Sequence, residues 1–137
     1  MSLFKLFDVA GSALHAQTLR LNTTASNMAN ANTVSSSIDK TYRARHPVFA
    51  PMLDDFGQKQ DGVGVKVLGI VESNAPIQRE YNPNHPLADG EGFISLPNVN
   101  IAEEMADMIS ASRSYQSNIE MMNSAKQMML RTISLGQ

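Results

Sequence analysis

Leu3-Phe4-Lys5-Leu6-Phe7-Asp8-Val9-Ala10-Gly11-Ser12-Ala13-Leu14-His15-Ala16-Gln17-Thr18-Leu19-Arg20-Leu21-Asn22-Thr23-Thr24-Ala25-Ser26-Asn27-Met28 is the stretch that decides the fold. Leu3, Phe7, Ala10, Leu14, Gln17, Leu21, Thr24 and Met28 alternate steps of four and three, the spacing that keeps a stripe of side chains facing a partner helix. In residues 1–33 only Lys5, Asp8 and Arg20 are charged. A lone helix in water carries charge on its back. This back is Ala, Ser, Thr and Asn, so the helix is expected to be packed on more than one side.

The other end of the chain repeats the pattern. Ile101, Met105, Met108, Ser112, Tyr115, Ile119, Met122, Lys126, Met129 and Ile133 keep the same alternation, with Ser112 and Lys126 as polar flaws. A second stripe of Ile109, Met121, Ala125, Met128 and Leu135 widens the apolar face. Asn100 is placed as an N-cap and Glu103 as its capping-box partner. Glu103, Glu104 and Asp107 near the start, and Lys126 and Arg131 near the end, suit the helix dipole. Gly136 fits a C-terminal stop. Six of the nine methionines lie in this helix, either as ordinary core filling or because flexible thioethers suit contacts with several different neighbours.

Punctuation separates these flanks from the middle. All six prolines lie between residues 47 and 97, and six of the eight glycines lie in the middle too. The expected organisation is an N-terminal helix in 1–33, a β- and turn-rich segment in 34–97, and a C-terminal helix in 98–137. The expected fold class is mainly α with a small β middle: two long helices forming an antiparallel, coiled-coil-like pair with a β-hairpin-rich insertion between them. Val63 to Val67 alternates and Leu68-Gly69-Ile70-Val71 shifts phase, which predicts a strand with a bulge. Tyr42 to Phe49 and Phe93 to Leu96 are weaker strand candidates. Residues 81–86 and 88–92 read as turns.

Composition narrows the function. The chain has 137 residues, a net charge of −2, 42% apolar residues and only 6% aromatic ones, with no Trp and no Cys. That charge offers no general attraction to nucleic acid or to an anionic membrane surface. Disulfides, thiolate metal sites and thiol nucleophiles are excluded. No apolar run reaches the roughly 18 residues of a membrane span, and the start has no h-region of a cleavable signal. His15, His46 and His85 are scattered without metal-ligand spacing. No nucleophile elbow and no dinucleotide fingerprint is present, so no catalytic, cofactor or metal residue is assigned and no enzyme is expected.

The seams pose the remaining physical problem. Two helices can pair, but a pair cannot cover wide apolar faces and uncharged backs. Exposed stripes of this length exceed what monomers leave in water, so assembly is the expected role. A coiled-coil homo-oligomer with a small β head would need charges flanking the seam to fix its pairing, and the first helix has almost none. Asn27, Asn30 and Asn32, near the helix end, suit capping of orphan carbonyls, a joint between subunits, or a plain polar turn.

Leu21-Asn22-Thr23-Thr24-Ala25-Ser26-Asn27-Met28-Ala29-Asn30-Ala31-Asn32-Thr33 resembles the N-terminal signature of flagellar rod and hook proteins, which usually have Leu where Met28 stands. Ser112 to Glu120 and Met128 to Gln137 are similar to the family's C-terminal motif. Residues 82–89 and Leu96-Pro97-Asn98-Val99-Asn100 resemble its short, proximal rod members. The likeness is weakest from about Ser35 to Gln60. The resemblance implies a basal-body rod subunit exported by the flagellar type III apparatus without signal cleavage. Such subunits assemble helically across the periplasm, both terminal helices forming the inner tube around the export channel. Implied partners are further copies of the chain, other rod proteins, the surrounding rings and the export apparatus, with no nucleic acid and no membrane insertion. The residues expected at subunit interfaces are Phe7, Leu14, Leu21, Asn27, Met28, Asn30, Met105, Met108, Tyr115, Ile119, Met122, Met129 and Ile133.

Overall fold

The structure, a computed structural model, describes residues 3–52 and 63–135. Helix α1 spans Leu3–Asn30 and helix α2 spans Ile101–Leu135, with strands β1 (Arg45–Pro51), β2 (Val65–Glu72), β3 (Gln78–Tyr81) and β4 (Phe93–Leu96) between them. A single turn of 3-10 helix, Ile38–Lys40, follows α1. The expected class is what is found: two long helices around a small β middle.

α1 and α2 pack along one another. Asn27 of α1 bonds Glu104 of α2, and Arg20 pairs with Asp107. Numbers fall on one helix as they rise on the other, so the pair is antiparallel. Counting equal rises from the Asn27–Glu104 tie, Leu3 comes level with about residue 128, so the last two turns of α2 overrun α1. The contact is lined with small residues. Ala10, Ala16, Ala111 and Ala125 are buried, and Ile94 is the only large aliphatic among the buried hydrophobic side chains of the described residues. Helices that meet through alanine approach closely but remove little apolar area from water.

α2 starts where the sequence places it. Asn100 Oδ1 accepts the Ala102 amide at 3.1 Å and caps the helix. Glu103, expected to complete a capping box, is exposed. α1 ends at Asn30, whose side-chain amide donates back to the Ser26 carbonyl one turn earlier at 2.8 Å. The C-terminal stop assigned to Gly136 lies outside the described residues.

β1 and β2 form an antiparallel ribbon against α1, so α1 is covered on two sides, as its uncharged back requires. Val48 pairs with Gly69 and Phe49 with Val67, leaving Leu68 as the extra residue of a bulge where the alternation shifts phase. A two-stranded ribbon is marginal alone. Ser12 fastens its far end: its hydroxyl donates to the Val9 carbonyl and accepts the Val65 amide at 3.0 Å. A bond of this kind contributes about 1 kcal/mol. β1 begins at Arg45 rather than Tyr42, because Tyr42 turns its hydroxyl back to α1.

β3 and β4 make a second antiparallel pair, extended by a bridge from Ser35 to Ser95. Gln-Arg-Glu-Tyr has no apolar alternation, and all four residues of β3 are exposed, so that strand left no trace in the pattern. Asp89 locks the turn that follows. The Phe93 amide, with help from the Glu91 amide and the Arg79 guanidinium, holds its carboxyl below the usual carboxylate range. Gly92 supplies the one left-handed backbone position among the described residues, at φ +82°.

Candidate assembly surface

Two kinds of position can be told apart on the helices: those spent inside one chain and those left uncovered. Asn27 is the clearest of the first kind. Its side chain is 1% exposed and is the largest fully buried one among the described residues. Its Nδ2 donates to the Arg45 carbonyl and to Glu104 Oε1, both at 2.8 Å. Its Oδ1 accepts the Arg45 amide and the Tyr42 hydroxyl, both at 2.9 Å. The amide therefore offers Arg45 the donor and acceptor that a neighbouring strand would offer, and closes the edge of β1. It also ties three segments together, α1, β1 and α2. All four of these bonds lie within one chain.

Glu104 and Asp107 show the same inward use. Both read from the sequence as dipole-compensating acids. Glu104 is buried against Asn27, and Asp107 pairs with Arg20 across the helices. Asn98 is a further internal tie. Its Oδ1 accepts the Ala44 amide at 2.8 Å, and its Nδ2 donates to the Ser73 and Ala75 carbonyls. It joins the entry of β1 and the exit of β2 to the start of α2. No spacing rule marks such an Asn, because its partners are backbone groups distant in sequence.

The predicted seam of α2 divides. Met108, Tyr115, Met122 and Met129 recur every seventh residue and are half-buried on the side of Glu104, Ala111 and Ala125. Met105, Ile119 and Ile133 belong to the other half of the same seam and are exposed, at 50%, 37% and 59%. In the second stripe, Ala125 faces inward, while Ile109, Met121, Met128 and Leu135 are exposed. On α1, Phe7, Leu14, Leu21, Met28 and Asn30 are all half-buried. One chain therefore covers one side of α2 and leaves the rest of its apolar surface open along most of its length. The described residues contain no group of three or more His, Cys, Asp or Glu side chains placed to hold a metal ion. Among the described residues no helix is long and apolar enough to cross a membrane.

Residues 7–34 match the flagella basal body rod protein family, and residues 91–135 match the C-terminal family of flagellar basal body rod FlgEFG proteins. The flagellar basal-body rod protein FlgC of Salmonella typhimurium is 49% identical over the full length of both chains. That of Escherichia coli O157:H7 is 47% identical over the same full extent, and that of Borreliella burgdorferi is 36% identical over all of this chain and 99% of its own. The chain belongs to the flagellar basal-body rod protein family. The two matched segments are most of α1 with its exit, and the β4–α2 unit, which carries the uncovered side of α2. It is a structural rod subunit and not an enzyme.

Proposed function

We propose that this subunit joins further copies of itself and other rod proteins into a helical shaft across the periplasm, with α1 and α2 lining the tube around the export channel. The middle segment then lies outside that tube, within reach of the surrounding rings. The observation that supports this most is the open apolar side of α2, from Ile101 and Met105 to Ile133 and Leu135. A shaft under torque needs each helix to bury area against several neighbours, and this face remains available after α1 has taken the other. The half-buried α1 residues Phe7, Leu14 and Leu21 are the complementary surface of the next copy.

The absence of cysteine makes the test clean. Single-cysteine variants Met105→Cys and Ile133→Cys, in swimming cells, should cross-link chain to chain when basal bodies are treated with a thiol-specific bifunctional reagent. Ala111→Cys, buried against α1, should not. Equal labelling at all three, or no cross-link in intact basal bodies, would overturn the arrangement.

Export without a cleaved signal is part of the same reading, by likeness to the family. Removing residues 2–10 should then abolish secretion as well as assembly. Normal periplasmic levels of the truncated chain in an export-competent strain would refute it.

A further inference from the structure

Each of the two strand pairs has two outer edges, and these edges are finished differently. In an antiparallel pair, residues that bond across the ladder alternate with residues whose backbone groups point outward. The Ser73 amide donates to the Ala44 carbonyl at 2.7 Å, so Arg45, Pro47, Ile70 and Glu72 point outward. The Asn82 amide donates to the Gly92 carbonyl at 2.9 Å, so Arg79, Tyr81, Phe93 and Ser95 point outward. The outer edge of β1 is closed: Asn27 takes both backbone groups of Arg45, and Pro47 and Pro51 have no amide to offer. The outer edge of β4 is closed as well, Ser95 by the Ser35 backbone and Phe93 by Asp89. The outward backbone groups of Ile70 and Glu72 on β2, and of Arg79 and Tyr81 on β3, find no partner among the described residues. Open edges of this kind are templates for another strand.

We propose that the open edge of β2 pairs antiparallel with the open edge of β3 of a second copy, merging two ribbons into one four-stranded sheet between neighbouring subunits. The inference rests on the reading that copies of the chain are neighbours in the rod. With Ile70 opposite Tyr81 and Glu72 opposite Arg79, every outward amide and carbonyl of these residues gains a partner. The same register prolongs the rows already set within each ribbon. Pro47, Ile70, Tyr81 and Phe93 form an apolar row across the merged sheet, and Arg45, Glu72 and Arg79 a row of alternating charge. Ile70 and Tyr81 are 49% and 64% exposed in one chain, and Tyr81 already stands edge-on to Phe93 at 5.2 Å. Glu72 already faces Arg45, and Arg79 already faces Asp89, so the new ion pair joins two existing ones. The two edges differ, so the contact is heterologous and propagates from copy to copy instead of closing on a dimer. Within one chain β2 and β3 stay in separate sheets, because Asn98 draws the Ser73 and Ala75 carbonyls to the start of α2.

The test co-expresses two single-cysteine variants, Ile70→Cys and Tyr81→Cys, and oxidises basal bodies isolated from swimming cells with copper phenanthroline. Opposite residues of a bonded pair have Cα atoms about 5.5 Å apart, within the range a disulfide spans. The mixture should give a disulfide-linked dimer. Neither variant alone should, nor should Tyr81→Cys mixed with His46→Cys, on β1. Ile70→Pro removes an amide that the β1–β2 ladder does not use. Competing with the wild-type subunit, it should enter rods roughly fivefold less, the worth of one hydrogen bond, while Ile70→Val should compete equally. A disulfide that forms only when both cysteines lie in one chain would show that the chain pairs its own strands, and would overturn the proposal. Dimers of Ile70→Cys alone would overturn it too, as would equal entry of Ile70→Pro. No Ile70–Tyr81 disulfide in rods where Met105→Cys and Ile133→Cys still link copies would refute the strand pairing and leave the helix contact standing. Loss of all these links would refute both.

Discussion

Asn27→Asp is expected to unfold the subunit, or to lower its stability by about 3–5 kcal/mol, the cost of breaking a buried charged contact by changing one partner. The wild-type amide uses two donors and one acceptor oxygen to hold the Arg45 backbone, the Tyr42 hydroxyl and the Glu104 carboxylate. A carboxylate keeps the acceptor role toward Tyr42 and the Arg45 amide. It loses both donors, leaves the Arg45 carbonyl unpaired, and faces the Glu104 carboxylate across a former hydrogen bond. Domains of this size are stable by only about 5–15 kcal/mol, so a loss of this size is a large fraction. Urea unfolding followed by circular dichroism measures it. Glu104→Gln in the Asn27→Asp background should recover part of the loss, since the side-chain amide it introduces can donate where Asn27 did. A midpoint unchanged by Asn27→Asp, or no recovery in the double variant, would show that the junction does not hold the three segments together.

That residue marks the limit of what the pattern of the chain discloses. The long helices, the bulge at Leu68 and the strand Phe93–Leu96 were legible because each is a local rhythm of apolar and polar positions. The inward role of Asn27 and Glu104 was not. A polar residue on a helix reads as surface unless its partner is known, and here the partners lie 18 and 77 positions away. Glu104 was hidden further, since an acid in the first turn of a helix already has a sufficient reason in the dipole. The division of the α2 seam was beyond periodicity for a related reason. A helix with neighbours on several sides carries apolar residues on several sides, and spacing alone cannot tell which stripe meets its own chain. The alanines settle it: Ala111 and Ala125, fully buried, mark the line of closest approach.

Ile119→Asp is expected to produce the opposite phenotype, a folded and exported subunit that builds no rod. Ile119 sits on the flank of α2, beside the line that meets α1, 37% exposed in a single chain, with the polar Ser112 and Lys126 one heptad step to either side. It is therefore the apolar contact of its stretch of the open seam, and its substitution touches none of the internal ties at Asn27, Arg20, Ser12 or Asn98. Asp on this flank of the free chain can keep its water, so stability in urea should fall by about 1 kcal/mol, well short of the loss at Asn27. Docked against a neighbour it becomes a buried, unpaired carboxylate, at a cost of several kcal/mol. The cost recurs at each copy in the shaft, so a penalty tolerable in a dimer would prevent a polymer. Soft-agar swimming should be lost, electron microscopy should show basal bodies without a completed rod, and the secreted subunit should keep its helical signal. Normal swimming would show that Ile119 faces solvent in the rod and that the working seam of α2 lies in another register. A collapsed unfolding midpoint would show instead that the residue belongs to the subunit's own core. The contrast with Asn27→Asp separates the two: one carboxylate should break the chain's own junction, and the other should break only the junction between chains.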